Sequence, residues 1–326
     1  MTSLALKIKA GGATASAAVI DAMGYWEPFL AFGVVEGTAI KTRDSEDGAM
    51  LSAGINLSLS SGVLTPSDKS TVPYERVVVD GRTPEDVSEG ILKDIVEKSK
   101  GKGRENIGVI TIVGFSGVGK GTTVAKLKSS LVSLRSDTNP DRVLCWSNGN
   151  IFRSLTVLTS LYMQSKNLKN VEEVISGEGS EELKKELMGC LSFEINDSTG
   201  EFDTHIVGFG VDYWVKDIET TVLKGPLVSG KIPTVARSTQ GEVVKFVCAA
   251  VKKLTTVSNF DVIVEGRAET VDYVESDYRY EMVMEDDGVI GVRRAAQRVA
   301  GAVGDVEEKG DEEVLEMLKK VVGEIA

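Results

Sequence analysis

The stretch Gly114-Phe115-Ser116-Gly117-Val118-Gly119-Lys120-Gly121-Thr122-Thr123 constrains this chain more than any other. It directly follows Gly108-Val109-Ile110-Thr111-Ile112-Val113, a β-branched run that reads as a buried strand. A helix is predicted immediately after it, over 120–135. In that setting the glycines let the backbone wrap with its N–H groups pointing inward, and the helix N-terminus adds positive potential. Lys120 is placed to reach β- and γ-phosphates, and Thr122 to bind phosphate or orient magnesium. Loop and flanks together predict a nucleotide phosphate site. Its binding residues would be Gly114, Ser116, Gly117, Val118, Gly119, Lys120, Gly121, Thr122 and Thr123.

Charge narrows the ligands further. Acidic residues number 49 against 37 basic ones, for a net charge of −12. That balance argues against non-specific nucleic-acid binding, which needs clustered Lys and Arg, but it leaves room for a local cationic pocket. The cysteines, Cys145, Cys190 and Cys248, are widely spaced and odd in number, so neither a disulfide framework nor a zinc site is expected. No segment approaches the roughly 20 consecutive apolar residues of a membrane span. The first residues lack both the apolar block of a secretory signal and the arginines of a transit peptide. The chain therefore reads as soluble and intracellular, with cytoplasm and organelle interior not distinguished.

The remaining pattern alternates strands and helices. Alternation at Ile55, Leu57 and Leu59 fits a short strand, followed by a loop over 60–72. Arg76 to Asp80 reads as a second buried strand, and Thr83-Pro84-Glu85-Asp86 as the capped start of a helix reaching about Lys98. A flexible basic linker spans Lys98 to Arg104. Further strands are expected near Val143–Trp146, Phe260–Val264 and Tyr280–Met284, and helices near 150–165, 170–189, 239–256 and 289–326, the last broken near 301–310. A polar stretch without assigned structure covers 192–212. Such alternation predicts an α/β fold, a parallel sheet with helices on both faces.

The Gly-x-Ser-Gly-x-Gly-Lys-Gly-Thr form resembles the P-loop nucleoside monophosphate kinases, and its serine is typical of cytidylate kinases. Other segments extend the resemblance in the family's order. Ser147-Asn148-Gly149-Asn150-Ile151-Phe152-Arg153 is similar to the family's Asp-Ser-Gly-Ala-Ile-Tyr-Arg, and Pro233-Thr234-Val235-Ala236 to its Ser-x-Val-Ala. Val264-Glu265-Gly266-Arg267 resembles Glu-Gly-Arg-Asp, and Arg293-Arg294 the paired arginines at the start of the lid helices. The resemblance implies a P-loop NTPase fold, ATP with Mg²⁺, and phosphoryl transfer to a nucleoside monophosphate of the CMP, dCMP or UMP type. It implies catalytic roles for Lys120, Arg267, Arg293 and Arg294, and acceptor binding by Gly149, Arg153 and Arg267. Magnesium enters only through ATP, since no carboxylate cluster has metal-ligand spacing. The chemistry suits these types, because guanidinium groups neutralise and orient phosphate oxygens bidentately.

The order of segments departs from the family's. Residues 295–326 offer no strand after Arg294, yet Tyr74 to Val87 resembles the family's last strand and helix, and Thr42-Arg43-Asp44-Ser45-Glu46-Asp47 faintly resembles its Arg-Asp lid loop. A circular permutation accounts for this and expects Val77–Val79 in the same sheet as Ile110–Val113. On that reading 1–70 is a permuted lid region and 71–326 the kinase-like domain, with 71–98 resembling the family's C-terminal strand and helix; the alternative is a separate Gly/Ala-rich N-terminal extension, 1–70, before a truncated kinase. The base-reading positions also differ. Pro233 cannot donate a hydrogen bond, Glu242 reverses a charge, and Ala268 replaces an aspartate, which leaves the acceptor base open. Two functions remain: an active kinase, or a non-catalytic kinase-fold subunit of a larger assembly. Trp26 and Phe29–Phe32 read either as core or as a docking patch, so a protein partner is expected, if anywhere, at residues 1–40. His205 and Cys145 read as structural.

Overall fold

The computed structural model describes residues 3–100, 106–135 and 142–326. Part of the expected linker, 101–104, lies outside them. The chain begins with helices α1 (Leu4–Lys9), α2 (Gly12–Met23) and α3 (Glu27–Ser60), then strand β1 (Glu75–Val78) and α4 (Pro84–Ser99). Next come β2 (Val109–Gly114), α5 (Lys120–Leu134), β3 (Val143–Ser147), α6 (Asn148–Ser165), α7 (Val171–Ser176) and α8 (Ser180–Gly189). Strands β4 (Leu191–Asn196), β5 (Glu201–Gly208) and β6 (Val211–Trp214) precede α9 (Val215–Ile218) and α10 (Ile232–Lys252). The chain closes with β7 (Asp261–Glu265), α11 (Ala268–Val271), β8 (Tyr278–Val283), α12 (Asp287–Ala302) and α13 (Asp311–Ile325).

The main sheet has five strands in the order β1-β8-β2-β7-β3, every pair parallel. Strand β1 lies at one edge, joined to β2 through β8, so residues 75–78 and 109–114 do share one sheet. The period of two sorts the side chains into opposite layers. Ile110 and Ile112 pack with Val87, Ile91 and Ile95 of α4 and Leu127 and Leu131 of α5. Val109 and Val113 face the other way, onto Leu155 and Leu158 of α6 and Val243 and Val247 of α10. The fold is thus α/β, with helices on both faces of the parallel sheet.

Helix α4 starts where its sequence says it should. Thr83 and Asp86 form a reciprocal capping box, with Asp86 N–H donating to Thr83 Oγ1 at 3.1 Å and Thr83 N–H to Asp86 Oδ2 at 3.2 Å. Several expectations are corrected. Ile55, Leu57 and Leu59 are not a strand but the last turns of α3, and Thr42–Asp47 is not a loop but the middle of the same helix. The helix expected over 170–189 is two helices, separated at Gly177 to Gly179, and α10 begins at Ile232 rather than near 239. The polar stretch is an antiparallel sheet, β4-β5-β6, in which Phe193 stacks on Phe202 with ring centroids 5.5 Å apart.

Helix α3 packs on α12 at a crossing without side chains between the backbones. A Cβ on Gly291 would overlap the carbonyl oxygen of Gly33, so only glycine permits this approach. Phe29 and Phe32 are buried there with Val19 and Met23 of α2, Ala295 and Val299 of α12, and Leu318 of α13. The first residues of the chain thereby form one core with its last helices. The core reading holds for Phe29 and Phe32, whereas Leu30, Val34 and Val35 on the outer side of α3 are exposed.

The sole histidine cross-links the small sheet. His205 on β5 bonds Glu194 of β4 at 2.8 Å through Nδ1 and Asp212 of β6 at 2.7 Å through Nε2, and its ring stacks on Trp214 at 4.1 Å. Burial pulls its pKa down, but the Asp212 and Glu194 carboxylates outweigh that and raise it above the ordinary value near 6.5. A raised folded pKa adds stability that is fully present below pH 6.5 and lost as pH rises through the folded value. Amide hydrogen exchange across 191–214, corrected for intrinsic rates, is therefore expected to show stronger protection at pH 5.5 than at pH 8.5. His205→Gln is expected to abolish the difference.

Candidate active site

The glycine-rich loop leaves the C-terminal end of β2 and enters α5, as its composition predicts. Gly117 and Gly119 hold φ of +87° and +92°, which only glycine adopts without strain, and Gly119 caps α5 in the left-handed region. Val118 is buried beneath the loop, and Thr123 is buried while its N–H donates to Gly119 O at 3.0 Å. Gly121 and Thr122 are exposed at the start of α5. Lys120 folds back over the loop, and its Nζ donates to Gly114 O at 2.7 Å and Phe115 O at 2.8 Å. Burial holds its pKa below the ordinary lysine value, although nearby Glu265 and Asp44 pull it back up.

Around this loop the strand ends gather a dense set of charges. Glu265 ends β7, and burial raises its pKa against the pull of Lys120 and Arg153. Arg267 follows two residues on and reaches the loop at Ser116, with Nη2 3.4 Å from Ser116 Oγ. Its main partner is Asp44 Oδ1 at 2.7 Å, supplemented by Asp47 Oδ2 at 3.3 Å. Asp44 accepts a second bond from Ser116 N–H at 2.7 Å. Burial alone would raise the Asp44 carboxyl, but Ser116 and Arg267 outweigh it and hold it below the usual carboxylate range. Arg153 lies in the first turns of α6, where Nη1 donates to Asn150 Oδ1 at 3.2 Å and approaches Gly149.

The structure thus brings together Lys120, Arg267 and Ser116, all expected in one site, while the contacts of Arg153 are to Asn150 and Gly149 at the start of α6. It places the other two arginines differently. Arg294 is exposed on the outer side of α12, bonding Gln297 at 3.3 Å with Glu36 of α3 4.0 Å away. Arg293 lies near Asp80, whose carboxyl it helps to hold below the usual range after the Glu285 and Asp286 amides. Neither has a hydrogen bond or ion pair to the loop among the described residues. Burial pushes the Cys145 thiol up to about 11, which disfavours the thiolate form.

Two features escape the motif reading. One is Asp44, whose neighbours in sequence match a lid loop only faintly. The other is a cavity of about 1090 Å³ beside the loop, lined by Gly121, Lys128, Trp146, Asn150, Phe202 and Glu265 among others. It runs from the start of α5 along the free edge of β3, with β5 as its far wall. Trp146 contributes a buried indole N–H that has no partner among the described residues. The signal for this wall was the spacing of Phe193 and Phe202, hidden within a mostly polar segment. Among the described residues no group of His, Cys, Asp and Glu side chains converges as metal ligands do, and no helix is long and apolar enough to cross a membrane.

Comparison with known proteins returns no matching family model and no matching curated sequence.

Proposed function

We propose that this protein is a phosphoryl-transfer enzyme of the nucleoside monophosphate kinase type, with its segments in circularly permuted order. The observation that carries the reading is the convergence of Lys120 and Arg267 on a glycine-rich strand–loop–helix at the C-terminal end of a parallel sheet. The residues present suit a triphosphate with magnesium. The start of α5 exposes Gly121 and Thr122, a Cβ on Gly119 would meet open space, and Lys120 needs only to release two carbonyls to turn outward. Bound there, MgATP supplies the transferable γ-phosphoryl group and part of the charge neutralisation.

The chain's own share is positioning and electrostatics. The loop amides and the N-terminus of α5 orient the phosphates, and Lys120 neutralises them. Arg267 and Arg153 hold the acceptor phosphate. The cavity beside Gly121 and Glu265 receives the acceptor base against Phe202 and the Trp146 indole. Permutation is supported by β1, which the chain forms first, at the outer edge of the sheet beside β8. Arg293 and Arg294 act only if α12 moves toward the loop.

ADP formation from MgATP, measured with CMP, dCMP, UMP, AMP and GMP in turn, tests the reading. Acceptor-dependent turnover is expected, with preference for a pyrimidine nucleotide. A folded protein that shows no turnover with any acceptor points to the second reading, a non-catalytic kinase-fold subunit. That reading draws on the long helix in place of the expected lid loop and on the exposed Leu30, Val34 and Val35, which suit a protein partner.

A further inference from the structure

Asp44 comes from α3, 223 residues from Arg267 in sequence, and its side chain is only 2% exposed. A carboxylate has no packing advantage at such a position, and burying it costs free energy unless donors surround it. The donors here are the Ser116 amide and the Arg267 guanidinium, each at 2.7 Å. That pair, one loop N–H and one arginine, is also the set an oxyanion of a phosphoryl group would use. Asp47, one turn farther along α3, adds a second negative charge on the same guanidinium. A phosphoryl oxyanion and the Asp44 carboxylate cannot share these donors at close range, since like charges repel and each donor is already committed.

We propose that Asp44 is an internal counter-anion, seated in part of the anion site, and that a ligand carrying a terminal phosphoryl group must displace it. Helix α3 is then a latch on the glycine-rich loop, and this inference rests on the phosphate-cradle reading of that loop. A latch lowers apparent affinity by the fraction of molecules in which Arg267 and Ser116 are free.

The test compares the full chain with Asp44→Asn, which keeps the shape and an acceptor oxygen but removes the charge. Calorimetric titration with inorganic pyrophosphate and with MgATP is expected to show binding about tenfold tighter, or more, in the variant. In the unmodified protein, saturating ligand is expected to speed amide exchange across residues 40–50. Equal affinities in both proteins and unchanged exchange would overturn the latch while leaving the phosphate cradle intact. Tighter pyrophosphate binding without any MgATP binding would support the latch and remove the nucleotide reading. Failure of both proteins to bind either ligand would overturn both. If Asp44→Asn does not fold, exchange in the unmodified chain decides alone: faster exchange supports the latch, and no change overturns it.

Discussion

Lys120→Ala is expected to lower MgATP-dependent phosphoryl transfer by about 10²–10³-fold, the loss typical of removing one preorganised charge-stabilising group. The lysine stands at the first residue of α5, where the loop has already been shaped by Gly117, Val118 and Gly119. Its ammonium donates to the carbonyls of Gly114 and Phe115, bonds that phosphate oxygens would replace on the proposed reading. The alanine variant loses those two bonds, but not the buried Val118 and Thr123 that hold the loop to the core. Its melting temperature should therefore stay close to that of the parent, so lost activity can be separated from lost structure. Lys120→Arg is expected to rescue little, because the planar guanidinium does not fit where a compact ammonium bonds two adjacent carbonyls. Unchanged turnover in Lys120→Ala would show that the loop is not the phosphate site.

The largest effect on stability is expected far from that loop, at the opposite end of β7. Asp261 is fully buried and accepts hydrogen bonds from Ile107 N–H at 2.6 Å and Gly108 N–H at 3.1 Å. It also pairs with Arg135, the residue that ends α5, whose Nη2 donates at 3.2 Å. One carboxylate thus ties the entrance of β2, the start of β7 and the end of α5 together. Burial pushes its pKa above the usual value, with the Gly108 and Ile107 amides and Arg135 pulling the other way. Asp261→Ala strands a buried guanidinium and two amides at once, so a loss of about 3–5 kcal/mol is expected in denaturant unfolding. Asp261→Asn keeps one acceptor oxygen for the amides but gives up the charge and the second oxygen that faces Arg135, and should fall between the parent and the alanine variant. A loss below about 1 kcal/mol in Asp261→Ala would mean that water or rearranged donors replace the carboxylate.

Legibility in the sequence followed the range of the interactions involved. The glycine-rich loop, the capping box at Thr83, and the β-branched strands at 109–114 and 261–265 depend on neighbours in sequence, and they form where expected. Strand β4 does alternate, with Leu191, Phe193 and Ile195, but β5 carries Asp203, Thr204 and His205 in succession, and that run hid the antiparallel sheet. Asp203, Thr204 and His205 are satisfied by backbone amides, β-pairing and cross-strand carboxylates, so they need no apolar signature.

Helix α3 is the sharper case. Its buried positions, Phe29, Phe32, Gly33, Glu36, Gly37, Ile40, Asp44, Gly54, Ile55 and Ser58, fall at helical spacing, yet six of these ten are glycine, acid or serine. A hydrophobic-periodicity reading cannot register such a face. Glycines there meet another backbone directly, and Glu36 and Asp44 meet Arg298 and Arg267 from remote parts of the chain. By itself, then, the sequence determined a glycine-rich turn between strand and helix and the strand–helix alternation that carries it, because local propensity and capping act over a few residues. Only the tertiary structure decided that residues 27–60 form one helix, and that this helix sets an aspartate against the loop. Close packing and charge pairing between distant segments leave no periodic trace in either partner.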